Sequence, residues 1–245
     1  MDIKTESYWS KRAETFDNLQ WANDQALLDS FIKAVDPHKY DHILDVGTGT
    51  GIVAHALEGE ERVIVGIDTE PAMLEIAREK GICIFSTCDV RNMPYDKWTF
   101  DVVTARYVFH HIMTELERAF MACHHVLSPF GKFVISEGVP PSDEVLDEFT
   151  EIFKLKETRN VFTEDSLRDL MMEAGFFSVV VKEDWLRGMS VKKWIQNSKL
   201  PRWKEIAIFN LHKNGSAAFK EAYNLVETED DILIDCKVLT LVGEK

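Results

Sequence analysis

Three glycines alternate with threonines at Gly47, Gly49 and Gly51, and Asp45 stands two residues ahead of the first. Glycine reaches positive φ without penalty and has no side chain, so a loop of this spacing turns sharply and lets a ligand meet the backbone. The apolar run before it, Ile43–Leu44 and Val46, reads as a buried strand. The residues behind it read as the start of a helix, whose first amides are unpaired and carry partial positive charge. A second apolar run, Val63–Ile67, ends on Asp68. In strand–loop–helix units, an acid about 20 residues beyond the glycines hydrogen-bonds the ribose hydroxyls of a bound nucleoside. Asp68 could equally cap the next helix; combined with the glycine loop, the ribose reading is preferred.

Other residues offer acid–base or metal chemistry. His110–His111 and His124–His125 are adjacent pairs, and imidazole is the side chain best poised to move a proton near neutral pH. As metal ligands, sequence neighbours would face different ways on a helix, and no carboxylate stands at a matching spacing, so no metal is expected. Cys83, Cys88, Cys123 and Cys236 form no C-x-x-C pair. Of these, Cys83, Cys123 and Cys236 fall within apolar patterns and read as buried free thiols.

The elements that would position these groups alternate along the chain. After His42 come strands at Ile43–Val46, Val63–Ile67, Ile82–Phe85, Phe100–Ala105, Lys132–Ser136 and Phe177–Lys182, with a last at Ile232–Val242. Helical patterns separate them: Pro71 opens one, Leu116–Leu127 carries an i, i+3, i+4, i+7 stripe, and Thr163 caps another. This alternation predicts an α/β fold with a Rossmann-like, doubly wound, mostly parallel seven-stranded sheet. The first forty residues read as an amphipathic helical cap. Residues 138–162 and 185–229 break the alternation after strands five and six. Ligands of such sheets bind at the carboxyl ends of the strands, so both insertions are expected to form a lid over an acceptor, with Tyr107, Arg159, Trp185 and Trp194 as candidate contacts. Decoration or a dimer contact is the alternative.

At 245 residues, the chain reads as a single domain, 1–245, with that cap and those lids. A net charge of −14 argues against a nucleic-acid partner. No run approaches the roughly 18 apolar residues of a membrane span, and Met1–Ser7 has no apolar signal core. The expectation is a cytoplasmic protein without membrane insertion, as monomer or homodimer.

The glycine spacing separates two nucleotide-binding families. A dinucleotide fold asks for G-x-G-x-x-G, whose third glycine would fall at Ile52. The spacing here is G-x-G-x-G. Together with G-I-D-T-E-P-A-M-L, C-D-V, F-D-V-V-T-A-R-Y-V-F-H-H, L-S-P-F-G-K-F-V-I-S-E and L-R-D-L-M-M-E-A-G-F, it resembles the class I S-adenosylmethionine-dependent methyltransferases. The likeness is to the broad group that includes the ubiquinone and menaquinone biosynthesis enzymes, and it covers about Tyr8 to Val181.

The resemblance implies S-adenosyl-L-methionine as cofactor, S-adenosyl-L-homocysteine as product and a small-molecule methyl acceptor. It places Gly47, Thr48, Gly49 and Gly51 against the methionine part of the cofactor, with Asp45 ordering the loop and reaching the ammonium through water. Asp68 would take the ribose hydroxyls, Thr69 and Met73 would flank the adenine, and Asp89 with the Val90 amide would meet the adenine amino group. Arg106 would contribute its backbone near the sulfonium, and Tyr8 in the amino-terminal segment would lie nearest the ligand. His110 and His111 are the candidate catalytic bases. S-P-F-G departs from the family's P-G-G, with Phe130 in place of a glycine. The alternatives are an inactive S-adenosylmethionine-binding subunit or regulator, and, against the glycine spacing, an NAD-dependent dehydrogenase.

Overall fold

The computed structural model describes residues 9–81 and 83–245; Tyr8 and Ile82 lie outside the described residues. The amino-terminal segment is a 3-10 turn, Ser10–Arg12, followed by α1 (Ala13–Phe16), α2 (Gln20–Asn23) and α3 (Gln25–Val35). Among the described residues, the expected helical cap is a series of short helices. Asp24 ends one of them and starts the next, its carboxylate accepting the Leu27 amide at 2.9 Å as the cap of α3.

From there strand and helix alternate as expected: β1 (His42–Val46), α4 (Ile52–Ala56), β2 (Val63–Asp68), α5 (Pro71–Arg78), β3 (Ile84–Thr87), β4 (Phe100–Arg106), α6 (Leu116–Val126) and β5 (Leu127–Gly138). The chain continues through α7 (Leu146–Lys156), α8 (Glu164–Glu173), β6 (Ser178–Ser190), α9 (Val191–Asn197), α10 (Arg202–Lys213), α11 (Ala217–Ala222), the two-residue β7 (Val226–Glu227) and β8 (Ile232–Glu244). Seven strands lie in the order β3-β2-β1-β4-β5-β8-β6, with β7 pairing on β8. β1 to β5 are parallel and β8 is antiparallel to both its neighbours.

The central strands are apolar on both faces because helices cover both. On one face Leu28, Phe31 and Val35 of α3 pack with Ile43, Val53 and Val134. On the other, Phe120, Cys123, Leu167 and Met171 of α6 and α8 pack with Phe133 and Leu241. A third apolar cluster joins α7, α9, α10 and α11 to the far parts of β6 and β8 through Phe149, Ile152, Leu186, Ile195, Ile208 and Phe219.

Two boundaries differ from those expected. β6 runs on to Ser190, pairing Trp185 with Lys237 and Ser190 with Leu233, so the second insertion begins at Val191 and not at Trp185. Charged Glu183 and Asp184 interrupt its apolar pattern, but an edge strand tolerates them. β5 begins at Leu127 and passes through S-P-F-G, where Phe130 adopts φ 67° with its ring 91% exposed. The left-handed backbone that a glycine would favour is kept, and the side chain is left in solvent. Among the described residues, no helix is long and apolar enough to cross a membrane.

Candidate active site: a groove joined to a second cavity

At the carboxyl ends of β1, β2 and β4 lies a groove of about 410 Å³. Gly47, Gly49, Asp68, Thr69, Met73 and Asp89 border it, and so do Val90 and Arg106. Asp45 and Thr48 stand with Gly47 and Gly49 around a smaller recess beside the groove. Gly51 is at neither wall. At φ 81° it starts α4, a helix of five residues. So short a helix offers little dipole, and the groove depends on loop backbone and carboxylates instead.

Asp68 does both things its position allowed. Its Oδ2 accepts the Gly49 amide and its Oδ1 the Glu70 amide, each at 2.9 Å, which ties the glycine loop to the end of β2 while the carboxylate borders the groove. Burial pushes its pKa above the usual carboxylate value. Asp45 is deeper. Thr104 Oγ1 donates to its Oδ1 at 2.8 Å, whereas its Oδ2 and the Thr48 hydroxyl are buried with no partner among the described residues. Burial raises Asp45 to about 6. A buried carboxylate oxygen without a donor costs free energy until one arrives.

One expected contact needs amending. The Asp89 carboxylate is engaged by Arg91, whose backbone amide donates at 2.9 Å and whose guanidinium pairs with it at 2.6 Å. Those bonds hold its pKa below the usual range. Asp89 therefore meets a further donor only with the lone pairs that Arg91 leaves. The Arg106 guanidinium donates to the carbonyls of Trp21 and Ala22 at 3.0 Å each, which leaves its backbone for the role expected of it. It pins the amino-terminal segment over the glycine loop, a task shared by Asp17, which accepts from Thr50 Oγ1 and pairs with Lys80.

Trp9, Trp21, Tyr107 and His111 border the groove and also a second cavity of about 120 Å³. Their rings meet edge to face, Trp21 on Tyr107 at 5.3 Å and Trp9 on His111 at 5.0 Å. The cavity's other walls come from both insertions: Phe149, Ile152 and Phe153 of α7, and Trp194, His212 and Tyr223 of the helical segment after β6. Tyr107, Arg159 and Trp194 are thus in its wall. Trp185 is not: it lies on β6, its indole N–H donating to Glu183 at 2.8 Å.

The histidine pair does not follow α-helical geometry. A 3-10 turn, Phe109–His111, sets the two ring centroids 3.9 Å apart with their planes tilted by 49°. Glu137, at the end of β5 and fully buried, anchors this turn: its Oε1 accepts the amides of Val108, Phe109 and His110, and its Oε2 contacts His110 Nδ1 at 2.6 Å. With Nδ1–H donating to Glu137, Nε2 is left as the unprotonated nitrogen. Burial lowers the pKa of both rings, His111 to about 2. Glu157 supplies the carboxylate that sequence spacing could not reveal, its ligand atom within 4.8 Å of those of His110 and His111. These three have the donor types of a metal site, contrary to the reason for expecting none. However, Lys156 pairs with Glu157 at 2.7 Å and Arg159 stands 3.5 Å from it, so a cation would have to displace one positive charge beside another.

A family model described as a methyltransferase domain matches residues 44–135. An uncharacterized methyltransferase, YcgJ of Bacillus subtilis, is 26% identical over 99% of this chain and 100% of its own length. Its crystal structure superposes with a TM-score of 0.79 at 22% identity, covering 89% of this chain and 97% of that one. The demethylmenaquinone methyltransferase of Thermus thermophilus is 37% identical over 40% of this chain and 48% of that enzyme. A Haemonchus contortus phosphoethanolamine N-methyltransferase, solved with phosphomonomethylethanolamine and S-adenosylhomocysteine, has a TM-score of 0.65 at 17% identity, over 99% of this chain and 61% of that one.

Proposed function

We propose that this chain, a member of the methyltransferase family by its domain and with the class I S-adenosylmethionine-dependent fold, transfers a methyl group from S-adenosylmethionine to a small, largely apolar acceptor. One observation carries the reading: the groove and the second cavity share the wall of Trp9, Trp21, Tyr107 and His111. Ligands in the two would meet there, against aromatic rings.

The fit to the cofactor rests on the chain's own groups. Asp45 Oδ2 needs a donor, which suits an α-ammonium. Asp68 borders the groove with a carboxylate for ribose hydroxyls, Met73 and Val90 offer apolar contact to a purine, and Gly47 and Gly49 allow close backbone approach. When bound, S-adenosylmethionine supplies a methyl on a sulfonium that departs as a neutral thioether. The protein's work is then chiefly alignment and exclusion of water. An acceptor that arrives protonated needs a base. His111, at about 2, is too weak. His110, whose imidazolium Glu137 would stabilise, is the better candidate, and His111 serves as wall.

The test uses S-adenosylmethionine with a radioactive methyl group and three acceptor pools: a deproteinised small-molecule extract, protein and RNA. Label should enter the small-molecule pool alone. Label confined to protein or RNA would contradict the reading. No transfer to any pool would favour a binding subunit.

A further inference from the structure

Three side chains converge beside the start of β3, and none of them borders the groove or the cavity. His55 belongs to the last turn of α4, Glu58 follows that helix, and Cys83 immediately precedes β3. Glu58 Oε1 lies 2.8 Å from His55 Nδ1 and 3.2 Å from Cys83 Sγ, and Sγ lies 3.8 Å from Nδ1. An imidazole nitrogen, a carboxylate oxygen and a sulfur thus meet, from residues up to 28 apart in sequence.

The other ring nitrogen decides which atom His55 turns to the cluster. Its Nε2 is 2.9 Å from the Ala77 carbonyl of α5, which can only accept, so Nε2 carries a proton. In the neutral ring, Nδ1 is then a lone pair aimed at a carboxylate oxygen, a contact that requires a positive centre between them. A proton can bridge those two atoms; a metal ion can bridge them and take the sulfur as well. A backbone carbonyl on the outer nitrogen is also a usual partner of a metal-bound histidine. Gly81 keeps the approach open, since a Cβ there would fall 2.6 Å from His55 Nδ1 and against Glu58 Oε1. Its φ lies outside the left-handed region, so a side chain at this position would offend space and not backbone conformation. Burial, with the carboxylates of Glu58 and Asp45, pushes the Cys83 thiol up to about 12, and a negative field of that kind favours a cation.

We infer that His55 Nδ1, Glu58 and Cys83 form a site for a divalent transition-metal ion of the zinc type, with water as fourth ligand. Zinc takes all three donor types in a tetrahedral set, whereas calcium and magnesium ask for oxygen. The His55 and Glu58 side chains are 15% and 32% exposed, which gives an ion a path in. The Nδ1–Oε1 gap must widen by about half an ångström to admit it, a movement within reach of the long Glu58 side chain. Binding exchanges the ion for the thiol proton and the proton shared by His55 and Glu58, both released to solvent. The bound ion joins the end of α4 to the start of β3, and the site stands whether or not the groove binds S-adenosylmethionine.

The test is titration of the reduced, chelator-treated full chain with Co2+, followed by absorption. Stoichiometric binding with an intense thiolate-to-cobalt charge-transfer band in the near ultraviolet is expected, and Zn2+ should abolish the band by displacing Co2+. Co2+ at His110, His111 and Glu157 would lack that band, because no cysteine belongs to that group. Cys83→Ser should lose the band, and His55→Ala should weaken Co2+ binding by more than the roughly 10–100-fold that loss of a supporting partner costs. No charge-transfer band in the wild type, a band that Cys83→Ser retains, or unchanged affinity in His55→Ala would overturn the proposal. A second measurement needs no variant. Zn2+ should slow alkylation of Cys83 by iodoacetamide, read in its peptide by mass spectrometry, and leave Cys88 unaffected. Equal rates at Cys83 with and without Zn2+ would overturn the proposal as well.

Discussion

Gly47→Ala should weaken binding of S-adenosylhomocysteine by roughly 30-fold or more, about 2 kcal/mol, and Gly47→Ala/Val108→Ala should recover only part of the loss. Two separate costs produce this. Gly47 sits at φ 62°, a left-handed conformation that costs a residue with a Cβ about 1–2 kcal/mol. A Cβ there would also lie 2.4 and 2.6 Å from the two methyls of Val108. Val108 cannot retreat freely, because its amide is held by Glu137 at 3.1 Å in the anchor of the histidine turn. The glycine loop must move instead, and with it the Gly49 amide that Asp68 holds. Trimming Val108 relieves the clash but not the backbone strain. An alanine variant with wild-type affinity would show that the loop does not set the cofactor's position.

Asp45→Asn should weaken the same ligand by about 1.5–3 kcal/mol, the scale of a lost hydrogen bond to a charged group, while leaving thermal stability equal or higher. The two effects have opposite signs because Asp45 is buried for the ligand and at the fold's cost. Its folded pKa is about 6 against an ordinary 3.8. As pH rises from about 4 to 6, the unfolded chain has released this proton and the folded chain still holds it. The group's contribution to stability therefore falls across that window, by on the order of 3 kcal/mol. Asparagine has no such proton, so the variant's advantage in melting temperature should grow over the same interval. Cofactor affinity should run the other way in the wild type. An ammonium prefers the ionised carboxylate, so binding should tighten by up to about tenfold per pH unit below about pH 6 and level off above it. Wild-type affinity independent of pH between about 5 and 7, or a variant that binds as well as the wild type, would remove Asp45 from the ammonium's contacts.

The sheet was legible because both of its signals are local. Short apolar runs separated by capped amphipathic helices specify parallel strands covered on both faces, and they fall where β1, β2, β4 and α6 lie. The extension of β6 to Ser190 was not legible, since Glu183, Asp184 and Arg187 break the apolar pattern on an edge strand whose partner is β8, distant in sequence. Gly51 belongs to the same repeat as Gly47 and Gly49, and only the backbone path shows that it starts a helix and leaves the groove to the other two.

The cavity was the harder part. Lys156 and Glu157 sit in a polar run, K-L-K-E-T-R, that reads as solvated surface. They are buried because α7 ends against the histidine turn, a contact that no spacing within either segment encodes. Glu137 was visible only as the last residue of an apolar strand. Its role as acceptor for three successive amides depends on the 3-10 turn of Phe109–His111 lying beside it. Trp9 and Trp21 could be read as aromatics of the cap, but their place at the junction of groove and cavity follows from Arg106 binding the Trp21 and Ala22 carbonyls.

The most direct test of the central claim is calorimetric titration of the wild-type protein with S-adenosylmethionine, S-adenosylhomocysteine and NAD. Micromolar binding of the first two, with no heat from NAD, is the predicted result; binding of NAD alone would contradict it.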